Sequence, residues 1–292
     1  MGCRSDHECR PAAGSDLMAW FQADSGNSLW YEERGAGTPI VFIHGWCMSS
    51  AVWRLQREGL SGSSRVITID LPGHGKSTPH EGGFHIKGCA ADIAGLFEYL
   101  HLHNALLVGW SLGSLIALES SVLLREKLSG LALIAGTPRF TQGDGFPYGL
   151  SKIEVDGMTR KVQRSLHRAL EGFTARMFAS GELDEPSLAA MIHELLSSVP
   201  MPPADVALEA LDALAVSDLR DRLALIDLPT LIMSGDSDVI CLPQASEFLA
   251  QRIASTRRIV FAGCGHAPFL TQSIRFNACL EEFRGMVSGR AY

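Results

Sequence analysis

Six short apolar runs punctuate this sequence, and each stops at a glycine or an aspartate: PIVFIHG (39–45), RVITID (65–70), ALLVG (105–109), LALIAG (131–136), PTLIMSG (229–235) and RRIVFAG (257–263). Their apolar residues are consecutive rather than alternating, the pattern of parallel strands covered on both faces. Stretches of helix length separate them, so the expected fold is α/β, a mostly parallel central sheet flanked by helices. Ligands in such sheets sit beyond the carboxyl ends of the strands, which directs attention to the residues just after each run. A chain of 292 residues, 46% hydrophobic and 20% charged, is long and apolar enough to bury a core of that size.

The alternation stops between residues 141 and 215. A Gly/Pro-rich stretch, TQGDGFPYGL, leads into apolar residues at helical spacing. Val162, Leu166, Ala169, Leu170 and Phe173 fall on one face of a single helix, and Arg160, Arg164 and Arg168 at i, i+4, i+8 fall on the opposite one. Further helices are expected at 184–198 and 203–215, separated by VPMPP. The simplest organisation is a core of residues 17–140 and 216–292 interrupted by a helical lid at 141–215. Residues 1–16 read as a disordered extension, with Met18 as an alternative start.

With 25 basic and 32 acidic residues the formal charge is -7, so no global attraction to nucleic acid or an anionic membrane is expected. The seven cysteines are odd in number, scattered and without a C-x-x-C pair, which argues against a disulfide framework or a zinc site and for a reducing cytoplasm. No run is long and apolar enough to span a membrane. The chain opens Met-Gly, but a myristoylation signal wants Ser or Thr where Asp6 stands. His101 and His103 are two apart and do not share a helix face, and no glycine-rich nucleotide motif occurs, so neither metal nor cofactor is expected.

Gly109-Trp110-Ser111-Leu112-Gly113 sits between one of the apolar runs and a helical stretch at 115–124. That context suits a G-x-S-x-G turn, in which glycines let strand and helix approach closely and the serine hydroxyl projects from a strained backbone. A serine that merely caps the helix would fit the pentapeptide alone. Serine is a weak nucleophile at neutral pH and needs a base oriented by an acid, found in the chain order Ser, acid, His on a sheet of this kind. Asp236 and Asp238 follow the run at 229–235, and His266 follows the run at 257–263. Asp238 is favoured as the acid because Asp236, directly after a glycine, is more naturally a turn residue. Oxyanion donors are expected from the backbone N–H groups of Leu112, opening the helix, and Trp46, in the IHGW turn.

These motifs resemble the α/β-hydrolase superfamily over residues 30–287. Within it the chain is similar to the family of pimeloyl-[acyl-carrier protein] methyl ester esterases, through HGWCMSSAVW, DLPGHGKS, GWSLGSLIAL, VPMPPADV, DLR and GCGHAPF. The resemblance implies Ser111 as nucleophile, His266 as base and Asp238 as acid, with Trp46 and Leu112 as oxyanion donors. Trp46 and Phe173 would line the acyl channel, and Met177 stands where the family's lid has Gln. It implies a monomeric enzyme of biotin synthesis acting on an acidic acyl-carrier protein. Residues 151–180 hold six basic and three acidic side chains, so Arg160, Arg164, Arg168 and Arg176 would receive the carrier. The same triad could also serve a hydrolase of small esters, lactones or carbon–carbon bonds, or survive on a non-catalytic ligand-binding protein.

Overall fold

The computed structural model describes residues 16–79 and 82–288. Eight strands form one sheet: β1 (Leu17–Gln22), β2 (Ser28–Arg34), β3 (Pro39–Ile43), β4 (Arg65–Ile69), β5 (Ala105–Trp110), β6 (Leu128–Ile134), β7 (Thr230–Gly235) and β8 (Thr256–Phe261). Their order is β1-β2-β4-β3-β5-β6-β7-β8. From β4 to β8 every pairing is parallel, and the six apolar runs are these six strands.

Two features differ from the sequence reading. The sheet extends at one edge by an antiparallel hairpin, β1 with β2, and β2 also runs antiparallel to β4. Residues 17–21 are apolar in a row, yet in β1 they alternate between exposed and covered positions, and β2 mixes apolar with charged residues. Met18 lies inside β1. At the other edge β8 is only half covered, since Arg257 and Arg258 lie on a strand with one open side. The expectation for residues 1–15 falls outside the described residues, whereas Asp16 forms an ion pair with Arg34.

Helices α1 (Arg54–Leu60), α2 (Ile86–Tyr99) and α3 (Leu112–Leu123) follow β3, β4 and β5. Between β6 and β7 come α4 (Lys152–Arg164), α5 (Leu166–Arg176), α6 (Pro186–Ser197) and α7 (Ala204–Val216); α8 (Pro243–Arg252), α9 (Pro268–Thr271) and α10 (Ser273–Ser288) complete the order. α2 packs on α3 and α1 on α10, so that β4, β5 and β6 are buried along their whole length. No helix among the described residues is long and apolar enough to cross a membrane.

The single helix expected around residues 160–173 is two. Ser165 is extended (φ -168°, ψ 104°), ends α4, and caps α5 by accepting the Arg168 N–H on its hydroxyl. A serine at this point offers the backbone a cap in place of a continued helix. Val162, Leu166 and Ala169 stay buried across the break, but Arg160 and Arg164 belong to α4 while Arg168 opens α5. The start of α4 carries a reciprocal cap between Ser151 and Glu154, and α6 starts with Pro186 behind a Glu185 cap.

Candidate active site

The chain turns from β5 into α3 at Ser111, whose φ of 56° and ψ of -115° lie where few non-glycine residues go. The neighbouring glycines explain how so tight a turn closes. A Cβ on Gly109 would stand 2.2 Å from the carbonyl oxygen of Gly113, and one on Gly113 would stand 2.4 Å from that of Ile43. The Ser111 N–H donates to the Ile134 carbonyl, tying the turn to the end of β6. Ser111 itself makes no side-chain cap bond to α3, which removes the helix-capping account of this serine.

His266 follows β8 and Asp238 follows β7. His266 Nδ1 lies 2.8 Å from Asp238 Oδ2, with both side chains fully buried. The other carboxylate oxygen accepts the N–H groups of Ile240 (2.8 Å) and Cys241 (3.0 Å). An acceptor so fixed makes Nδ1 the protonated nitrogen of a neutral imidazole and leaves Nε2 as its basic lone pair. Nε2 is buried and has no hydrogen-bond partner among the described residues. Asp236 lies elsewhere: it is exposed and its carboxylate takes the Gly263 N–H at 2.9 Å, as a turn residue would. Gly235 lets the two loops meet, because a Cβ there would be 2.1 Å from the Cys264 carbonyl oxygen.

The IHGW turn lies beside Ser111. His44 Nε2 accepts the Leu71 N–H at 3.0 Å, so Nδ1 is its donor to the Gly45 carbonyl at 2.8 Å. The Trp46 indole donates to the Ala207 carbonyl of α7 (2.9 Å), and the next residue, Cys47, takes a φ of 54°. The Trp46 backbone N–H has no hydrogen bond among the described residues. Leu112 is the first residue of α3, where a backbone N–H has no acceptor within its own helix. Unfilled backbone donors of this kind are the groups that can hold a developing oxyanion.

The insertion reaches this edge through Phe173, whose ring centroid is 5.1 Å from that of Trp46 and 6.4 Å from that of His266. Met177, also expected to contact substrate, is fully buried and offers its backbone carbonyl to the His266 N–H at 2.7 Å. Arg160, Arg164, Arg168 and Arg176 are all exposed. The Arg176 guanidinium donates to the Val239 carbonyl, one residue beyond Asp238. No carboxylate pairs with Arg160, Arg164 or Arg168 among the described residues.

Sequence reasoning did not single out Cys241 or Trp110 as site residues. Burial, with the Asp238 carboxylate adding to it, holds the Cys241 thiol well above its usual range, and the Ser111 hydroxyl acts in the opposite direction. A neutral thiol there is a neighbour of the serine, not a rival nucleophile. Trp110 donates its indole N–H to the His266 carbonyl at 2.9 Å and packs its ring 5.5 Å from the imidazole. Its place in the pentapeptide was the available signal for Trp110. The spacing from Asp238 was the one for Cys241.

Comparison with known proteins gives a consistent picture. The family model of the alpha/beta hydrolase fold matches residues 38–273. The chain is 31% identical to a pimeloyl-[acyl-carrier protein] methyl ester esterase of Nitrosomonas europaea, over 87% of this chain and 98% of the relative. An esterase from Exiguobacterium antarcticum superposes with a TM-score of 0.85 at 31% identity, covering 92% of this chain and all (100%) of the other. A bromoperoxidase from Bacillus anthracis follows at a TM-score of 0.82 and 26% identity, covering 92% and 99%.

Proposed function

The chain belongs to the α/β-hydrolase family, and from that premise we propose that it is a serine carboxylesterase that hydrolyses the methyl ester of pimeloyl-[acyl-carrier protein] in biotin synthesis. The reading of the chemistry is supported above all by one observation: a buried His266 is bonded to Asp238 through Nδ1 and its Nε2 is left without a partner among the described residues, on the sheet edge where the strained Ser111 follows β5. The similarity to the Nitrosomonas europaea esterase along 98% of that protein's length supports the substrate.

In this reading the Ser111 hydroxyl turns to His266 as the ester seats. Oγ attacks the ester carbonyl, Nε2 takes the proton, and Asp238 stabilises the imidazolium that forms. The amides of Trp46 and Leu112 hold the tetrahedral oxyanion. Collapse expels methoxide, which leaves as methanol with the proton from Nε2. Water, deprotonated by His266, then cleaves the acyl-enzyme. The products are methanol and a free distal carboxylate on a carrier-bound pimeloyl chain.

Residues 141–215 act as the lid, with Trp46 and Phe173 along the acyl channel and Met177 beneath it. The carrier is acidic in this proposal, and Arg160, Arg164, Arg168 and Arg176 attract it, supported by their exposure and the basic excess of the segment. A cytoplasmic monomer without cofactor completes the reading, with the scattered cysteines supporting the compartment.

The test is the intact mass of pimeloyl-carrier methyl ester after incubation with the wild type and with Ser111→Ala. The expected result is loss of one methylene's mass with the wild type alone. An unchanged carrier together with rapid cleavage of a short activated ester would retain the triad and move the substrate to a small ester.

A further inference from the structure

The two backbone N–H groups at the reactive imidazole, those of Gly265 and His266, both donate into the helical insertion. His266 N–H reaches the Met177 carbonyl at 2.7 Å, and Gly265 N–H reaches Glu182 Oε2 at 2.7 Å. The same Oε2 takes the Ala179 N–H at 2.7 Å, while Oε1 takes the Thr271 hydroxyl at 2.6 Å. One carboxylate thus joins the turn after α5 to both ends of the segment 265–271 that carries His266. The backbones are in direct contact there: a Cβ on Gly265 would stand 2.4 Å from the Met177 carbonyl oxygen and 3.0 Å from the Ala179 nitrogen. Asp238 and Trp110 fix the imidazole and its carbonyl from the core side. From the other side the loop is held by the insertion.

We propose that Glu182 is a positioning residue for the hydrolysis: through the Gly265 amide and the Thr271 hydroxyl it sets where His266 Nε2 stands relative to Ser111. This rests on the reading of His266 as the general base. The lid is then part of the catalytic scaffold as well as a cover, and a change at Glu182 acts on turnover before it acts on binding. Displacing a catalytic group by about 1 Å lowers rates by roughly 10²-fold. The contacts need two amide donors at one oxygen and a hydroxyl at the other position. A glutamine meets both, because its Oε accepts the amides and its NH₂ donates to the Thr271 oxygen.

The experiment compares wild type, Glu182→Ala, Glu182→Gln, Thr271→Val and His266→Ala on a short activated ester that needs no carrier. Glu194→Ala serves as control, since it removes a different insertion-to-core contact, the ion pair with Arg54. Glu182→Ala is expected to lower kcat by about 10²-fold with KM changed less than about threefold, and Glu182→Gln to restore kcat to within about threefold of wild type. Glu194→Ala should leave both constants near wild type. Wild-type kcat in Glu182→Ala, or a glutamine variant as impaired as the alanine one, overturns the proposal. If Glu182→Ala does not fold by circular dichroism, Thr271→Val decides: a several-fold fall in kcat at constant KM supports the positioning role, and an unchanged kcat refutes it. Activity surviving in His266→Ala would instead refute the triad reading, so the two failures are distinguishable.

Discussion

The turn at residues 109–113 and the insertion at residues 141–215 both border His266, and they are built in opposite ways. The turn is buried and made of backbone: two glycines with no room for a Cβ and a serine at positive φ. The insertion is made of amphipathic helices with polar faces open to water, joined by caps such as Ser165 and Glu185. Few sequences satisfy the first, because atoms 2.2 Å from a missing Cβ forbid substitution; many satisfy the second. The difference separates two jobs. Geometry that must be fixed sits in the crowded backbone, and the exposed side chains of the insertion are free of that constraint.

The largest expected effect breaks the core side. Asp238→Asn leaves the shape of the site but cannot hold His266 in the tautomer with the proton on Nδ1, and kcat should fall by about 10⁴-fold. The loss should be the same for a short ester and for a carrier-bound one, since neither substrate touches this carboxylate. Asp236→Asn, at an exposed turn, should change kcat only a few-fold. Steady-state kinetics of both variants on both substrates decides the matter, and a mild effect at Asp238 would sink the assignment of the acid.

Legibility followed the same division. The six parallel strands and the residues after them were readable because continuous apolar runs and sterically required glycines leave local marks. Ser111, Asp238 and His266 stand where those marks put them. The hairpin β1–β2 was not read: residues 17–21 are apolar in a row but end at Gln22 rather than at a glycine or an aspartate, and β2 mixes apolar with charged residues. The break at Ser165 was missed because an apolar face at Val162, Leu166 and Ala169 continues across it, and periodicity does not register a cap. Glu182 had no signal at all: its partners Gly265 and Thr271 are 83 and 89 residues away in the chain, and only the folded chain brings them together.

A second prediction uses pH to separate the two regions. His44, in the IHGW turn, and His74 lie fully buried with ring centroids 5.3 Å apart. Burial pushes His44 down to about 4, and burial together with the His44 neighbour pushes His74 down to about 3. In the unfolded chain both take up protons near 6.5. The unfolded state therefore binds more protons below that value, and stability that is complete above about pH 6.5 is lost progressively as pH falls toward 4 and then 3. The buried carboxyl of Asp70, raised by burial, acts in the opposite sense as it becomes protonated. The net expectation is a falling thermal midpoint below pH 6.5, worth on the order of a few kcal/mol by pH 4. His74→Gln should flatten the slope, and an identical slope in that variant would remove His74 from the explanation.

The smallest effect sharpens the insertion side, where salt rather than pH is the lever. Arg164→Glu with Arg168→Glu should raise KM for a carrier-bound ester by about tenfold at low ionic strength and leave KM for a short ester unchanged, because exposed rim charges act mainly on encounter. The break at Ser165 makes the two single reversals informative. Arg164 is in the last turn of α4, where an acidic replacement opposes the helix dipole, whereas Arg168 is in the first turn of α5, where it complements the dipole. Loss of helix stability would therefore appear in Arg164→Glu alone and would affect both substrates. Loss of carrier attraction would appear in both single variants, affect only the carrier-bound ester and fade as salt is added. Equal effects on the two substrates in Arg168→Glu, where the helix is not weakened, would show that this face does not receive the carrier.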